Sequence, residues 1–179
     1  MIRILKQIFR TGIVTEPLPP ITDLEIEKIG AQLEEAVRRR FQRSLTIRQV
    51  DAGSCNGCEL EIHAINNAIY NCERFGIHFT ASPRFADMLL VTGPVTHNME
   101  IALKRTYNAT PSPKLVVAVG DCGCTGGIFG ESYASLGAID KVIPVDACIP
   151  GCPPTPQALL QGILKAVSGS VALSGGGNE

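Results

Sequence analysis

The run Met88-Leu89-Leu90-Val91-Thr92 is apolar at consecutive positions. A surface helix spaces its apolar residues three and four apart, and a half-exposed strand alternates them. A short unbroken run fits a strand covered on both faces, the way strands of a parallel sheet are built. Lys114-Leu115-Val116-Val117-Ala118-Val119 reads the same way. Further strands are expected at Leu45–Asp51, around Gly76–Thr80 and at Val142–Val145. Helical patterns lie between them. Ile26, Ile29, Leu33 and Val37 recur at helical spacing in a helix from Leu24 to about Arg40, capped by Thr22 or Asp23. Helices are also expected over Gly57–Asn71, Met99–Tyr107 and Pro156–Val167, and Ser82-Pro83 opens a short helical turn. Strand–helix alternation with apolar strands predicts an α/β fold, a flavodoxin-like parallel sheet with helices on both faces.

The chain divides into an N-terminal arm over 1–22, one α/β domain over 23–168, and a glycine-rich flexible tail over 169–179. In the arm the first ten residues can form a short amphipathic helix, and Glu16-Pro17-Leu18-Pro19-Pro20 then forces an extended path. The arm is either a frayed terminus or a segment that docks on a partner or a membrane surface. With 179 residues, 45% hydrophobic and a formal net charge of -1, the composition is globular and lacks the basic excess of a nucleic-acid binder. No apolar run approaches the roughly 20 residues needed to span a bilayer. The first ten residues scatter basic side chains among apolar ones, unlike a secretory signal, so a cytoplasmic or equivalent compartment is expected. There, seven cysteines read as metal ligands or buried thiols in preference to disulfides.

Six of these cysteines fall beyond expected strand ends. Cys55 and Cys58 follow the first strand, Cys122 and Cys124 follow Val119-Gly120-Asp121, and Cys148 and Cys152 follow Val145-Asp146. In an open parallel sheet functional loops gather beyond the carboxyl ends of the strands, so three distant loops bring thiols to one end, and four of them can bind one cluster. A structural zinc takes its ligands as two close pairs. One pair plus two single ligands from separate crossovers suits an iron–sulfide cubane better. Gly123, Gly126 and Gly127 let backbone amides approach inorganic sulfide, and Pro150-Gly151-Cys152-Pro153-Pro154 frames a ligand rigidly.

Together Cys55-Asn56-Gly57-Cys58, Gly120-Asp121-Cys122-Gly123-Cys124-Thr125-Gly126-Gly127 and Pro150-Gly151-Cys152-Pro153-Pro154 carry a resemblance. The chain resembles the small, electron-transfer subunit of membrane-bound (group 4, energy-converting) [NiFe] hydrogenases of the formate hydrogenlyase type. It is also similar to the cluster-bearing B subunit of respiratory complex I. Phe75-Gly76, Ser82-Pro83-Arg84-Phe85-Ala86-Asp87, Val91-Thr92-Gly93-Pro94-Val95-Thr96 and Pro144-Val145-Asp146 agree with it, over roughly Leu5 to Leu164. Complex I subunits carry two adjacent cysteines in the first motif; here two residues separate Cys55 from Cys58, as in the hydrogenases. The chain ends soon after the helix that follows Cys152, so the resemblance implies one [4Fe–4S] cluster, where longer small subunits hold three. By motif position the ligands are Cys55, Cys58, Cys122 and Cys152. Cys122 stands directly after the strand end, and Cys124 is close enough to compete with it. Cys148 is expected to be a supporting or buried thiol, and Cys72, at a helix end, a buried one.

The resemblance implies an oxidoreductase subunit that is not catalytic alone. Nickel needs two further CxxC pairs, and this chain has one. The Ni–Fe centre is therefore expected in a hydrogenase large subunit, with a ferredoxin-like iron–sulfur subunit and membrane subunits as further partners. The chain itself would lie peripherally on the cytoplasmic side of the membrane. Glu59 and Glu61 open the helix after the first motif; they are either favourable charge at a helix N-terminus or a proton relay. His63, His78 and His97 are read as structural, and Arg84 is left unassigned between a positive charge near the cluster and a surface or capping contact. Exposed apolar residues near Ile128-Phe129-Gly130 are candidate partner contacts. Two other classes stay open: an equivalent subunit of a nickel-free complex I-like oxidoreductase acting on quinone or another acceptor, and a zinc-stabilised binding module.

Overall fold

The computed structural model of the chain describes residues 2–11 and 24–169. The expected caps Thr22 and Asp23, the proline run and the tail beyond Gly169 lie outside them. The amphipathic helix expected at the start is present as α1 (Ile2–Thr11), and α2 (Leu24–Phe41) follows. The main sheet has five parallel strands: β1 (Leu45–Asp51), β2 (Ile77–Phe79), β3 (Met88–Thr92), β5 (Leu115–Val119) and β7 (Ala147–Ile149). Their order is β2-β1-β3-β5-β7, the flavodoxin-like winding. The order of winding switches between β1 and β3, with β2 added on one side and β3, β5 and β7 on the other, and the crevice outside the carboxyl ends of those strands is where such sheets bind ligands.

Burial explains the unbroken apolar strands. Met88, Leu90, Leu115, Val117 and Val119 face one core with Leu33 and Val37 of α2 and with Leu159, Leu160 and Ile163 of the last helix, α6 (Pro156–Ser168). Leu89, Val91, Val116 and Ala118 face a second core with Ile139, Ile143 and Leu103, the last from α4 (His97–Ala109). Every residue of β3 and β5 is buried, so neither strand has a polar face to alternate with.

Several boundaries depart from the sequence expectation. The helix after the first cysteine pair, α3 (Gly57–Ala64), stops far short of Asn71. Asn67 Oδ1 accepts hydrogen bonds from the Ile69 and Tyr70 backbone amides at 2.8 and 3.0 Å, which offers this backbone a turn in place of helix. The last strand is not Val142–Val145 but Ala147–Ile149, paired with β5 at Val117, Ala118 and Val119. Ile143, with Val142 and Val145 beside it, packs on the second core from a loop, so these residues are apolar without being a strand. Asp146 then locks the register: its backbone amide donates to Val116 O, and its Oδ2 accepts from the Val116 amide. The glycine-rich loop begins as a short helix, α5 (Gly120–Thr125). A small antiparallel ribbon, β4 (Val95–Thr96) with β6 (Ser135–Gly137), has no counterpart in the sequence reading. No helix among the described residues is long and apolar enough to cross a membrane.

Candidate metal centre at the carboxyl end of the sheet

The loop after β1 is shaped by Asp51. Its Oδ1 accepts from the backbone amides of Gly53 and Ser54 at 2.7 and 2.8 Å, an Asx turn that reverses the chain toward Cys55. Asn56 sits in the left-handed region at φ 72° and launches α3, whose first turn carries Cys58 and Glu59. The loop after β5 brings Cys122 on α5, and the loop after β7 brings Cys152.

These loops are fastened to one another. The Asp121 amide donates to Gly151 O at 3.0 Å, and Asp121 Oδ1 accepts from the Gly151 amide at 2.8 Å. This reciprocal pair clamps α5 to the Pro150–Pro154 segment. A Cβ placed on Gly57 would stand 3.6 Å from Cys55 Sγ and 3.9 Å from Pro153, so the first and third loops also touch. A Cβ on Gly120 would lie 2.7 Å from Cys58 Sγ and 3.3 Å from Gly151 O. One on Gly127 would lie 2.8 Å from Cys122 Sγ. Glycine at these two positions, with φ of +80° and +53°, leaves the thiols their room. Gly123 and Gly126 serve other contacts, against Ile139 and against the Gly130 and Gly137 backbone.

The electrostatics report the same convergence. Burial pushes the Cys58 thiol up to about 12, helped by the negative fields of Glu59, Cys55, Cys122 and Cys152. Burial likewise raises Cys122, and Cys152 and Cys55 add to it. The four thiols expected to be ligands therefore share one neighbourhood, with Cys55 and Cys152 exposed and Cys58 and Cys122 half-buried. Among the described residues no three His, Cys, Asp or Glu side chains meet closely enough for a single metal ion. Cys124, the competitor, turns elsewhere: its thiol donates to Ala118 O at 3.7 Å, and Ala118 is the ladder partner of Cys148. Cys148 is exposed and lies within β7, so of the two expectations for it, a supporting or a buried thiol, the second does not hold. Cys72 is fully buried, as expected, at the start of a single 3-10 turn.

Glu59 is buried in the first turn of α3, and both carboxylate oxygens lack a hydrogen-bond partner among the described residues. Glu61 is half-buried. His63, His78 and His97 are exposed. Asp51 and Asp121 are site residues that the sequence reading passed over. The available signal was an acidic side chain at a strand end followed within two residues by a loop glycine or cysteine.

The family described as NADH ubiquinone oxidoreductase, 20 Kd subunit, matches residues 55–166, a span that holds all four thiols. Formate hydrogenlyase subunit 7 of Escherichia coli (strain K12) is 43% identical over 151 residues, which are 84% of this chain and 58% of that protein. The chain thus spans little more than half of that relative. The probable membrane-bound hydrogenase subunit mbhJ of Pyrococcus furiosus is 47% identical over 142 residues, covering 79% of this chain and 83% of its own. Among solved structures, a chain of the membrane-bound sulfane sulfur reductase, an archaeal respiratory membrane complex, superposes with a TM-score of 0.62 at 37% identity, covering 76% of each chain.

Proposed function

The chain belongs to the family of the 20 Kd subunit of NADH ubiquinone oxidoreductase, and on that premise we propose that it is the electron-transfer subunit of a membrane-bound [NiFe] hydrogenase complex. In this reading Cys55, Cys58, Cys122 and Cys152 hold one [4Fe–4S] cluster. The observation that supports it is the gathering of these four thiols, from three separate crossovers, while Cys124 turns to Ala118 O. The donor set is all sulfur, and the space kept open by Gly120 and Gly127 is one a Cβ would fill. When bound, such a cluster carries single electrons reversibly.

The protein's own groups do the holding. The Asp121–Gly151 clamp fixes the separation of the second and third loops, and the Asp51 turn aims the first. Burial keeps Cys58 and Cys122 protonated, so loading the site releases protons from them. The Ni–Fe centre belongs to a large subunit, since its further thiolates are not found here. A ferredoxin-like subunit and membrane subunits complete the assembly, with this chain peripheral on the cytoplasmic side. Residues 23–168 act as the single cluster-bearing domain, with 1–22 as an arm and 169–179 as a tail. Glu59, buried and without a hydrogen-bond partner among the described residues, is proposed to move protons toward the large subunit, with Glu61 next in line.

The test uses the anaerobically purified complex. Iron and sulfide at about four each for this subunit, nickel in its partner, and a reduced cluster signal by electron paramagnetic resonance are the expected results. Cys122→Ser should lose this signal and Cys124→Ser should keep it. Iron and sulfide without nickel would move the chain to a nickel-free oxidoreductase, and zinc without sulfide would overturn the cluster. For the relay, Glu59→Gln should slow hydrogen turnover at unchanged iron content.

A further inference from the structure

Outside the four-thiol centre and the buried Cys72, two thiols remain, and they are neighbours. Cys124 lies two residues beyond Cys122 on α5, so the helix turns it to roughly the opposite side, about 200° around the axis. There its sulfur lies 3.7 Å from Ala118 O, and Ala118 is the ladder partner of Cys148 across the β5–β7 pairing. Ladder partners present their side chains to the same face of a sheet, so Cys148 stands on the face where Ala118 and Cys124 meet the second core. Two cysteines 24 positions apart in sequence are thus neighbours on one face of the sheet. Their settings differ. Cys148 is exposed, while Cys124 is half-buried against the second core. An accessible thiol backed by a sheltered one is the arrangement in which the first is oxidised and the second resolves it.

We propose that Cys124 and Cys148 are a redox modification site, a dithiol that closes to a disulfide when the protein meets a hydroperoxide. Cys148 Sγ attacks the peroxide: an S–O bond forms, the O–O bond breaks, and with hydrogen peroxide one water leaves. Cys124 Sγ then attacks the sulfenic sulfur: the S–S bond forms, the S–O bond breaks, and a second water leaves. The thiols give up two electrons and two protons, and the peroxide takes both. The exposure of Cys148 favours this order, because a peroxide in solution reaches the exposed sulfur before the sheltered one. Closure ties α5, which bears Cys122, to β7, which leads to Cys152, without using any of the four gathered thiols. The proposal rests on the reading of the metal centre only in that Cys124 is left out of the ligand set.

The experiment titrates the anaerobically purified complex with hydrogen peroxide, quenches by alkylation under denaturing conditions, and maps cross-linked peptides by mass spectrometry. Alkylation caps Cys122 and Cys152, so a surviving cross-link between their two peptides reports Cys124–Cys148. The expected result is a cross-link that forms before iron or sulfide is lost, opens with dithiothreitol, and is absent in Cys148→Ser. In Cys124→Ser, Cys148 should instead take up dimedone as a sulfenic acid. Loss of iron and sulfide with no cross-link would overturn the proposal. If Cys124→Ser has already lost its iron before peroxide is added, Cys124 is a ligand, and both this proposal and the ligand set fall. If that variant keeps its iron and the unsubstituted complex still forms no cross-link, this proposal alone falls.

Discussion

At Gly120 the missing Cβ decides where Cys58 can stand. The position has φ +80°, and an added Cβ would meet Cys58 Sγ at 2.7 Å. A non-glycine residue held in this backbone region costs about 1–3 kcal/mol, and the collision comes on top of it. Gly120→Ala should therefore lower both the thermal midpoint and the iron bound per chain. Unchanged iron content would show that Cys58 has room to move. Cys72 gives a prediction in pH. It is fully buried, and burial with the nearby Glu73 pushes its thiol up from 9.0 to about 11. The unfolded thiol ionises near its ordinary value while the folded one keeps its proton, so the unfolded state binds fewer protons in between. The stability from this burial is full below about pH 9 and is lost as pH rises through about 11, a fall on the order of 2 kcal/mol. Cys72→Ala should be less stable at pH 8 but should lack this fall, as read by denaturant midpoints across the range.

Among the elements, the contact of α5 with the Pro150–Pro154 segment is the one the site depends on. It hangs on Asp121, whose carboxylate accepts the Gly151 amide while its own amide donates back. Removing a charged acceptor costs about 1.5–3 kcal/mol, and here it also frees two thiol-bearing loops to drift apart. Asp121→Ala should reduce iron retention more than Asp121→Asn, which keeps an acceptor oxygen; equal loss in both would point to charge over geometry. The elements also show what the sequence disclosed. β3 and β5 were legible because every side chain is buried, and so were the strand-end positions of Cys55, Cys58 and Cys122. The last strand was not. Val142, Ile143 and Val145 are apolar for a core they reach from a loop, and pattern alone cannot tell that burial from a strand. Beyond α3 the Asn67 side chain holds a turn where a longer helix was expected, a local competitor that apolar spacing does not register. Which of Cys122 and Cys124 faces the other thiols depends on how α5 is turned, and the Ala118 carbonyl that accepts the Cys124 thiol lies on a strand that sequence spacing does not relate to it.

For the whole molecule the question is what meets the face that carries the thiols. Ile128 and Phe129 follow Gly127, which faces Cys122, and are 90% and 51% exposed; Tyr133 is 98% exposed, and Leu60, two residues after Cys58, is 62% exposed. Large apolar side chains left in water beside a chemically important site mark a surface that another chain covers. Because they are exposed, replacing them should barely alter the fold: surface changes usually stay within about 0.5 kcal/mol. Their value lies in association, where a buried anchor contributes about 2 kcal/mol or more, a loss of roughly 30-fold in affinity. Ile128→Asp combined with Phe129→Asp should leave the thermal midpoint of the isolated chain nearly unchanged, yet strip it from the co-purified complex and lower hydrogen turnover in the membrane fraction. Ile101 is similarly large and exposed, 61%, but lies on α4 away from the cysteine loops in sequence. Ile101→Asp should leave assembly intact. Equal loss of assembly in both variants would mean that the partner surface is not organised around the thiols, and that the exposed residues after Gly127 are ordinary surface.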